Sequence, residues 1–170
     1  MALHQKLAAI SGAEAALVTA SGMSAITTTL LAFLKSGDHI MAHNTLYGGT
    51  ADYVVHDLPE YGIEFDFFDA LNSEDWESKL KSNTKVIYIE TITNPLIDVP
   101  KLDAVVQFAK KHNLEVIEDA AHAAGATYNN KKIGSHGTAV CFSFHPVKNL
   151  AMPMGGLISI NHKNHKQFRK

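Results

Sequence analysis

Seven short apolar runs alternate with helix-like segments along this chain, and that alternation restricts the fold more than any other feature. The runs are 15–20 "AALVTA", 39–43 "HIMAH", 63–69 "IEFDFFD", 85–90 "KVIYIE", 114–118 "LEVIE", 138–144 "TAVCFSF" and 156–160 "GLISI". The helix-like segments are 2–10, 22–35, 48–60, 73–81 and 100–112. Alternating β and α predicts a parallel sheet with right-handed crossovers. Runs such as "VIYI" suit strands covered on both faces. The expected fold is therefore α/β, a three-layer sandwich around a mostly parallel seven-stranded sheet. The last connection departs from this rule. Only about a dozen residues separate the sixth and seventh runs, and Pro146, Pro153, Gly155 and Gly156 fall among them or at their edge. No crossover helix fits there, so the seventh strand is expected to return antiparallel.

Local signals support individual elements. In 100–112, Leu102, Val105, Val106, Phe108 and Ala109 roughly follow helical spacing, and Pro100 suits a first helical turn. "NSEDWESKL" reads as a helix start, with Asn72 or Ser73 as cap, acids in the first turn and Trp76 as a packing residue. His43, His56, His112 and His136 are expected at surface or loop positions. His162 and His165 in "NHKNHK" read as a solvated tail and not as a metal site.

Composition excludes several functions. A formal net charge of −2 leaves no excess of Lys and Arg for nucleic acid or an anionic membrane. No run approaches the roughly 18 apolar residues of a membrane span. The one cysteine, Cys141, rules out an intramolecular disulfide, reads as a small core residue and fits a reducing compartment. The expectation is a soluble, cytoplasmic protein with no nucleic-acid or membrane partner.

In open α/β sheets ligands gather beyond the carboxyl ends of the strands. Asp119 follows the fifth run and Lys148 the sixth. "ASGMSA" follows the first and Thr91 to Asn94 follow the fourth. Ser21, Gly22, Met23 and Ser24 would present backbone N–H groups at a helix N-terminus, which favours a phosphate. A Ser-Gly pair before a helix is also an ordinary cap. Asp119 alone also reads as a strand-end cap, and Lys148 alone as a solvated charge. Together they form a set. A carboxylate beside a pyridine nitrogen keeps it protonated, a Lys amine condenses with an aldehyde, and a cradle holds a phosphate. Those are the needs of pyridoxal 5'-phosphate. No G-x-G-x-x-G or G-K-[ST] motif is present, which counts against a nucleotide-binding module.

These residues carry a resemblance to the large domain of the fold type I pyridoxal-phosphate enzymes. Residues from about 4 to 114 resemble the cystathionine synthase/lyase family of Cys/Met metabolism, through "GAEAALVTASGMSAITTTLLAFLKSGDHI", "LYGGT", "LPEYGIE" and "NTKVIYIETITNPL". Residues from about 115 to 160 resemble the DegT/DnrJ/EryC1/StrS sugar aminotransferases, through "VIEDAAHAAGATYNNKKIGSHGTAVCFSFHPVKN". The resemblance implies that Lys148 carries the cofactor as an internal aldimine and moves the proton at the substrate α-carbon. Asp119 would pair with the pyridine nitrogen. Ser143, with the backbone of Gly22 and Met23 in the Ser21 turn, would bind the phosphate. Tyr47 would stack on the ring, and Asn94 and His122 would compete for the place near the ring hydroxyl.

The resemblance also frames what to expect of the whole. Both families are much longer than this chain. Residues 1–170 are expected to be a single cofactor-binding core without the leading segment or the C-terminal small domain, which carries a substrate-binding Arg in the cystathionine family. The switch near residue 115 suggests a chimera or an excised core. Implied chemistry is transamination, or elimination and replacement on sulfur-containing amino acids. The substrate would be a small amino acid or amino sugar, the assembly a homodimer, and the activity weak. The alternative is a non-catalytic scaffold retaining only the fold.

Overall fold

The computed structural model describes residues 2–162. In chain order the elements are α1 (Ala2–Ser11), β1 (Ala15–Thr19), α2 (Gly22–Phe33), β2 (His39–His43), α3 (Gly48–Asp52), a π-helical turn (Tyr53–Asp57), α4 (Leu58–Glu60) and β3 (Glu64–Phe68). There follow α5 (Trp76–Lys79), β4 (Thr84–Glu90), α6 (Leu102–His112), β5 (Glu115–Asp119), β6 (Thr127–Tyr128), β7 (Lys131–Lys132), β8 (Ala139–Ser143) and β9 (Gly156–Ile160). Seven strands form one mostly parallel sheet in the order β1-β9-β8-β5-β4-β2-β3, and β6 and β7 form a separate hairpin. Each of the seven runs anticipated from the sequence is a strand of that sheet.

The chain divides into two compact units, residues 1–32 with 118–170 and residues 33–117. In the first unit β9 lies antiparallel to both β1 and β8, with Leu157 opposite Val18 on one side and Phe142 on the other. The expected reversal of the last strand is thus present, and no helix is assigned between Ser143 and Gly156. A β-carbon at Gly156 would run into the Ser21 carbonyl oxygen, so glycine lets β9 begin against the turn after β1. Ala25, Leu30, Val140, Cys141 and Phe142 form the buried interior of this unit.

In the second unit β2 pairs parallel with β3 and with β4. Ile40, Met41, Ala42, Val86, Ile87 and Tyr88 are fully buried there. Trp76 packs edge-on against Phe68 and Phe108, at 5.9 and 5.4 Å between ring centres, and its indole N–H donates to the Asp69 carbonyl at 2.7 Å. α6 buries Leu102, Val105 and Ala109 and ends at Asn113 in the left-handed conformation, after Lys110, Lys111 and His112 in its last turn.

Several local expectations are corrected. The segment 48–60 is helical throughout but passes through a π turn. The segment 73–81 shrinks to four helical residues. Its cap position is Asp75, without a side-chain cap bond, while Asn72 Oδ1 instead accepts the Glu74 N–H at 3.2 Å. Only Trp76 of that helix is buried, so there is no apolar face to extend it. Pro100 lies before α6, whose cap position is Lys101. His43 is buried at the end of β2, because that strand is paired on both sides and all five of its residues are covered. His112 is half-buried at the end of α6, 3.1 Å from Glu77, and His136 lies half-buried against the Tyr128 ring. His165 lies outside the described residues.

Candidate cofactor site

The turn after β1 is tied by a set of hydrogen bonds around Ser21 and Ser24. Ser24 N–H donates to Ser21 Oγ at 3.0 Å and Ser21 N–H to Ser24 Oγ at 2.8 Å. Ser24 Oγ–H and Thr19 Oγ1–H both donate to the Ser21 carbonyl, at 2.8 and 2.9 Å. This reciprocal pattern is a capping box with serine in the place of the usual Glu or Gln. The Ser21 hydroxyl therefore serves the cap, as the ordinary reading of a Ser-Gly pair has it. Gly22 and Met23 open the 12-residue helix α2 behind it.

Gly22 brings that helix start onto Ser143. A β-carbon at Gly22 would stand 2.6 Å from Ser143 Cβ and 2.8 Å from its Oγ. Ser143 is the last residue of β8, 8% exposed, and its Oγ accepts the His145 N–H at a long 3.4 Å. The Ser143 side chain thus stands against the start of the helix and occupies the space that a side chain at position 22 would need.

Asp119 ends β5 and is 5% exposed. One of its oxygens accepts the Ala121 N–H at 3.0 Å, a local turn that fixes the carboxylate. The Ala120 N–H donates to the Cys141 carbonyl at 2.7 Å and so ties the end of β5 to β8. His122 follows, and its Nε2 lies 2.7 Å from Lys148 Nζ. Burial first, and the Lys148 charge second, hold the imidazole below its ordinary pKa. The neutral ring accepts from the lysine through Nε2, which leaves its own proton on Nδ1. Sequence reasoning put His122 near the ring hydroxyl, in competition with Asn94; the structure sets it against Lys148. Lys148 itself is held by its backbone N–H on the His145 carbonyl at 2.8 Å, and its neighbour Asn149 donates to the Ala124 carbonyl at 2.7 Å.

In the second unit Tyr47 stands at the cap position of α3 with its side chain largely exposed. Asn94 lies in the loop after β4, which Thr93 closes by accepting from Asp98 and Ile97 at 2.9 Å each. Sequence reasoning missed Glu90. This last residue of β4 is buried, and its carboxylate accepts the backbone N–H of Tyr47 on one oxygen and that of Asn94 on the other. The signal was available, since "YIE" ends in an acid as "VIED" does.

Cys141 is the core residue expected. It is buried, its Sγ lies 3.4 Å from Thr29 Oγ1, and burial pushes its thiol up to about 12. Among the described residues there is no cluster of His, Cys, Asp or Glu able to hold a metal, and no helix long and apolar enough to cross a membrane.

A mostly parallel α/β sheet carries a buried carboxylate, Asp119, at the end of one strand, and a serine hydroxyl and a lysine, Ser143 and Lys148, at and after the end of another, the residue types that pyridoxal-phosphate-dependent enzymes use. The comparisons with known proteins place the chain within that class. It belongs to the family of Cys/Met metabolism PLP-dependent enzymes, which matches residues 1–137. It is 39% identical over 134 residues to an L-methionine gamma-lyase of Fusobacterium nucleatum, covering 78% of this chain and 34% of that one. It is 33% identical over 152 residues to the homocysteine/cysteine synthase of Saccharomyces cerevisiae, covering 81% of this chain and 34% of that one.

Among solved structures, a Campylobacter jejuni protein described as an O-acetylhomoserine (thiol)-lyase superposes with a TM-score of 0.86 at 30% identity, over 96% of this chain and 40% of that one. That structure contains a pyridoxyl-lysine monophosphate. The metB protein of Corynebacterium glutamicum superposes with a TM-score of 0.84 at 29% identity, over 98% and 43%. The chain thus spans about a third to two fifths of the length of the relatives it matches. The family match runs unbroken through residue 115. The likeness of residues 115–160 to sugar aminotransferases, and the chimera it suggested, draw no support from these matches. Pyridoxal phosphate is the cofactor of the family.

Proposed function

We propose that residues 1–170 form the pyridoxal-phosphate-binding core of an enzyme acting on amino acids, with Lys148 carrying the cofactor. The carrying observation is that the Ser143 hydroxyl packs against Gly22 at the start of α2, an approach that only a residue without a side chain at position 22 permits. When bound, pyridoxal phosphate supplies an electron sink for the substrate's α-carbon. The Ser143 hydroxyl and the backbone of Gly22 and Met23 hold the phosphate, and the dipole of α2 adds to their pull. The Asp119 carboxylate holds a proton on the pyridine nitrogen. Its own turn through Ala121 keeps it aimed. Lys148 Nζ moves the proton at the α-carbon, and the neutral His122 ring beside it accepts a hydrogen bond from the ammonium.

Elimination or replacement at a sulfur-bearing amino acid is the favoured chemistry, because the named relatives are a gamma-lyase and a homocysteine/cysteine synthase. Transamination uses the same lysine and carboxylate and is the second possibility. A dimer in the cytoplasm goes with this reading. It is supported by the buried free Cys141 and by the exposed Val147, Leu150 and Met154 of the Lys148 loop. The rival reading is a scaffold with the fold alone, and the Ser21 cap and the Asp119 turn are what it has in its favour.

An absorbance titration with pyridoxal phosphate separates the two, run before and after borohydride and beside Lys148→Ala. The cofactor core gives a new absorbance band, and reduction then leaves the cofactor's mass on the peptide that holds Lys148. Equal spectra for the wild type and the variant, or label spread over surface lysines, would leave only the scaffold.

A further inference from the structure

Lys148 stands in the loop 144–155 between β8 and β9, within the unit that joins residues 1–32 to 118–170. This loop folds on itself. The Phe144 N–H donates to the Gly155 carbonyl at 3.0 Å, the Met152 N–H to the Phe144 carbonyl at 2.8 Å and the Lys148 N–H to the His145 carbonyl at 2.8 Å. Those bonds shape the loop and leave open where it lies against the turn after β5. That turn, in the same unit, is braced separately. The Ala120 N–H holds the Cys141 carbonyl of β8 at 2.7 Å, the Ala123 N–H holds the Ala120 carbonyl at 2.9 Å and the Ala126 N–H holds the Ala123 carbonyl at 3.1 Å. Asn149 joins loop to turn. Its Nδ2 donates to the Ala124 carbonyl at 2.7 Å. A carbonyl oxygen only accepts, so the position calls for a donor. Beside it, Lys148 Nζ lies 2.7 Å from His122 Nε2. Consecutive residues of the loop therefore meet two nearby positions of one turn, and together they fix a register. A lysine amine rides on a flexible four-carbon stem, so where its backbone starts decides what the amine can reach.

We propose that Asn149 is a positioning residue for the cofactor-carrying lysine: its amide bond to the Ala124 carbonyl holds the loop in the register that sets Lys148 Nζ against His122. This rests on the cofactor reading above. Asn149 acts through its neighbour. Its side chain is exposed, so losing the bond spares the core and releases the loop. His122 reports the register without any cofactor. While its Nε2 accepts from Lys148, the neutral ring keeps its proton on Nδ1.

The test uses the full chain with Asn149→Ala, which removes the donor, and Asn149→Gln, which keeps it on a longer arm. Nitrogen NMR of the His122 imidazole, assigned by its loss in His122→Gln, is read without cofactor. Pyridoxal phosphate is then titrated, and borohydride followed by peptide mapping gives the share of label on Lys148. In the wild type the His122 proton sits on Nδ1. In Asn149→Ala the two tautomers mix, the dissociation constant for pyridoxal phosphate rises about fivefold and the share on Lys148 falls. Asn149→Gln restores part of all three. An unchanged His122 signal in Asn149→Ala overturns the register. A changed signal with unaltered affinity and labelling overturns the positioning role. Equal losses in the alanine and glutamine variants overturn the role of the donor. A wild type with its proton on Nδ1 that forms no imine overturns the cofactor reading and the positioning role with it, and leaves Asn149 as a brace between two loops.

Discussion

Replacing Gly22 with alanine puts a methyl group where Ser143 already stands. The added carbon would lie 2.6 Å from Ser143 Cβ, 2.8 Å from Oγ and 3.2 Å from Cα. Carbon atoms rest about 3.5–4.0 Å apart, so the overlap is about 1 Å against an atom fixed to backbone. Turning the Ser143 side chain relieves the contact with Oγ and not the one with Cβ. Either the start of α2 or the end of β8 must move. Overpacking of this kind costs roughly 1–3 kcal/mol. Alanine recovers up to about 1 kcal/mol of helix propensity, and less than that in a first turn. A net loss of about 1–2 kcal/mol is expected, which lowers the melting temperature by roughly 2–8 °C for a chain of this size.

Urea unfolding of Gly22→Ala, Ser143→Gly and the double variant isolates the cause. Ser143→Gly removes both short contacts, so the double variant is expected to be more stable than the sum of the single losses predicts, by about 1–2 kcal/mol. Ser143→Ala keeps Cβ and is expected to relieve little. The same methyl group displaces the Ser143 hydroxyl proposed to hold the phosphate, so Gly22→Ala is also expected to weaken pyridoxal phosphate binding by about tenfold or more, as loss of one charge-assisted hydrogen bond would. Strictly additive losses, or a Gly22→Ala protein with unchanged stability and unchanged affinity, would refute the close approach and the proposed phosphate role of Ser143 together.

Two further outcomes follow from buried groups. Burial above all holds the His39 and His43 imidazoles below their ordinary range, so the unfolded chain takes up protons on them before the folded chain does. Stability is therefore expected to be full above about pH 6.5 and to fall as the pH drops through that value, and the slope of urea midpoint against pH between about 7.5 and 5.5 should flatten in His43→Gln. Cys141 is buried with its thiol pushed up to about 12, so Ellman's reagent should leave it unmodified in the native protein and titrate one thiol per chain in denaturant.

The sheet was legible in the sequence because "VIYI", "AVCFS" and "EVIED" are short runs that only strands covered on both faces require. The reversal of β9 was legible because the two prolines before it leave no room for a crossover helix. Asp119, Lys148 and the Gly22 turn could be named because each is a side chain, or the absence of one, at a strand end. Glu90 escaped because its work falls on backbone N–H groups, which nearly every residue has and which leave no pattern in side-chain identity. His43 escaped because polarity is a poor guide to exposure in a strand with neighbours on both sides. The shortness of α5 escaped too: "NSEDWESKL" has a good helix start but a single buried residue to hold it. The contact of His122 with Lys148 depends on how the turns after β5 and β8 meet, which spacing along the chain does not record.

The wedging of β9 between β1 and β8 has a consequence for the chain as it leaves the ribosome. Its pairing reaches from Thr19 to Gly156, so the gap between β1 and β8 stays open until β9 has been made. At about 5–20 residues per second that interval is roughly 7–27 s. During it Leu17 and its neighbours present an unpaired strand edge, while residues 33–117 are already complete and contiguous. The unit assembled from two distant pieces is therefore the later of the two to form, and the one whose exposed edge chaperones would meet first.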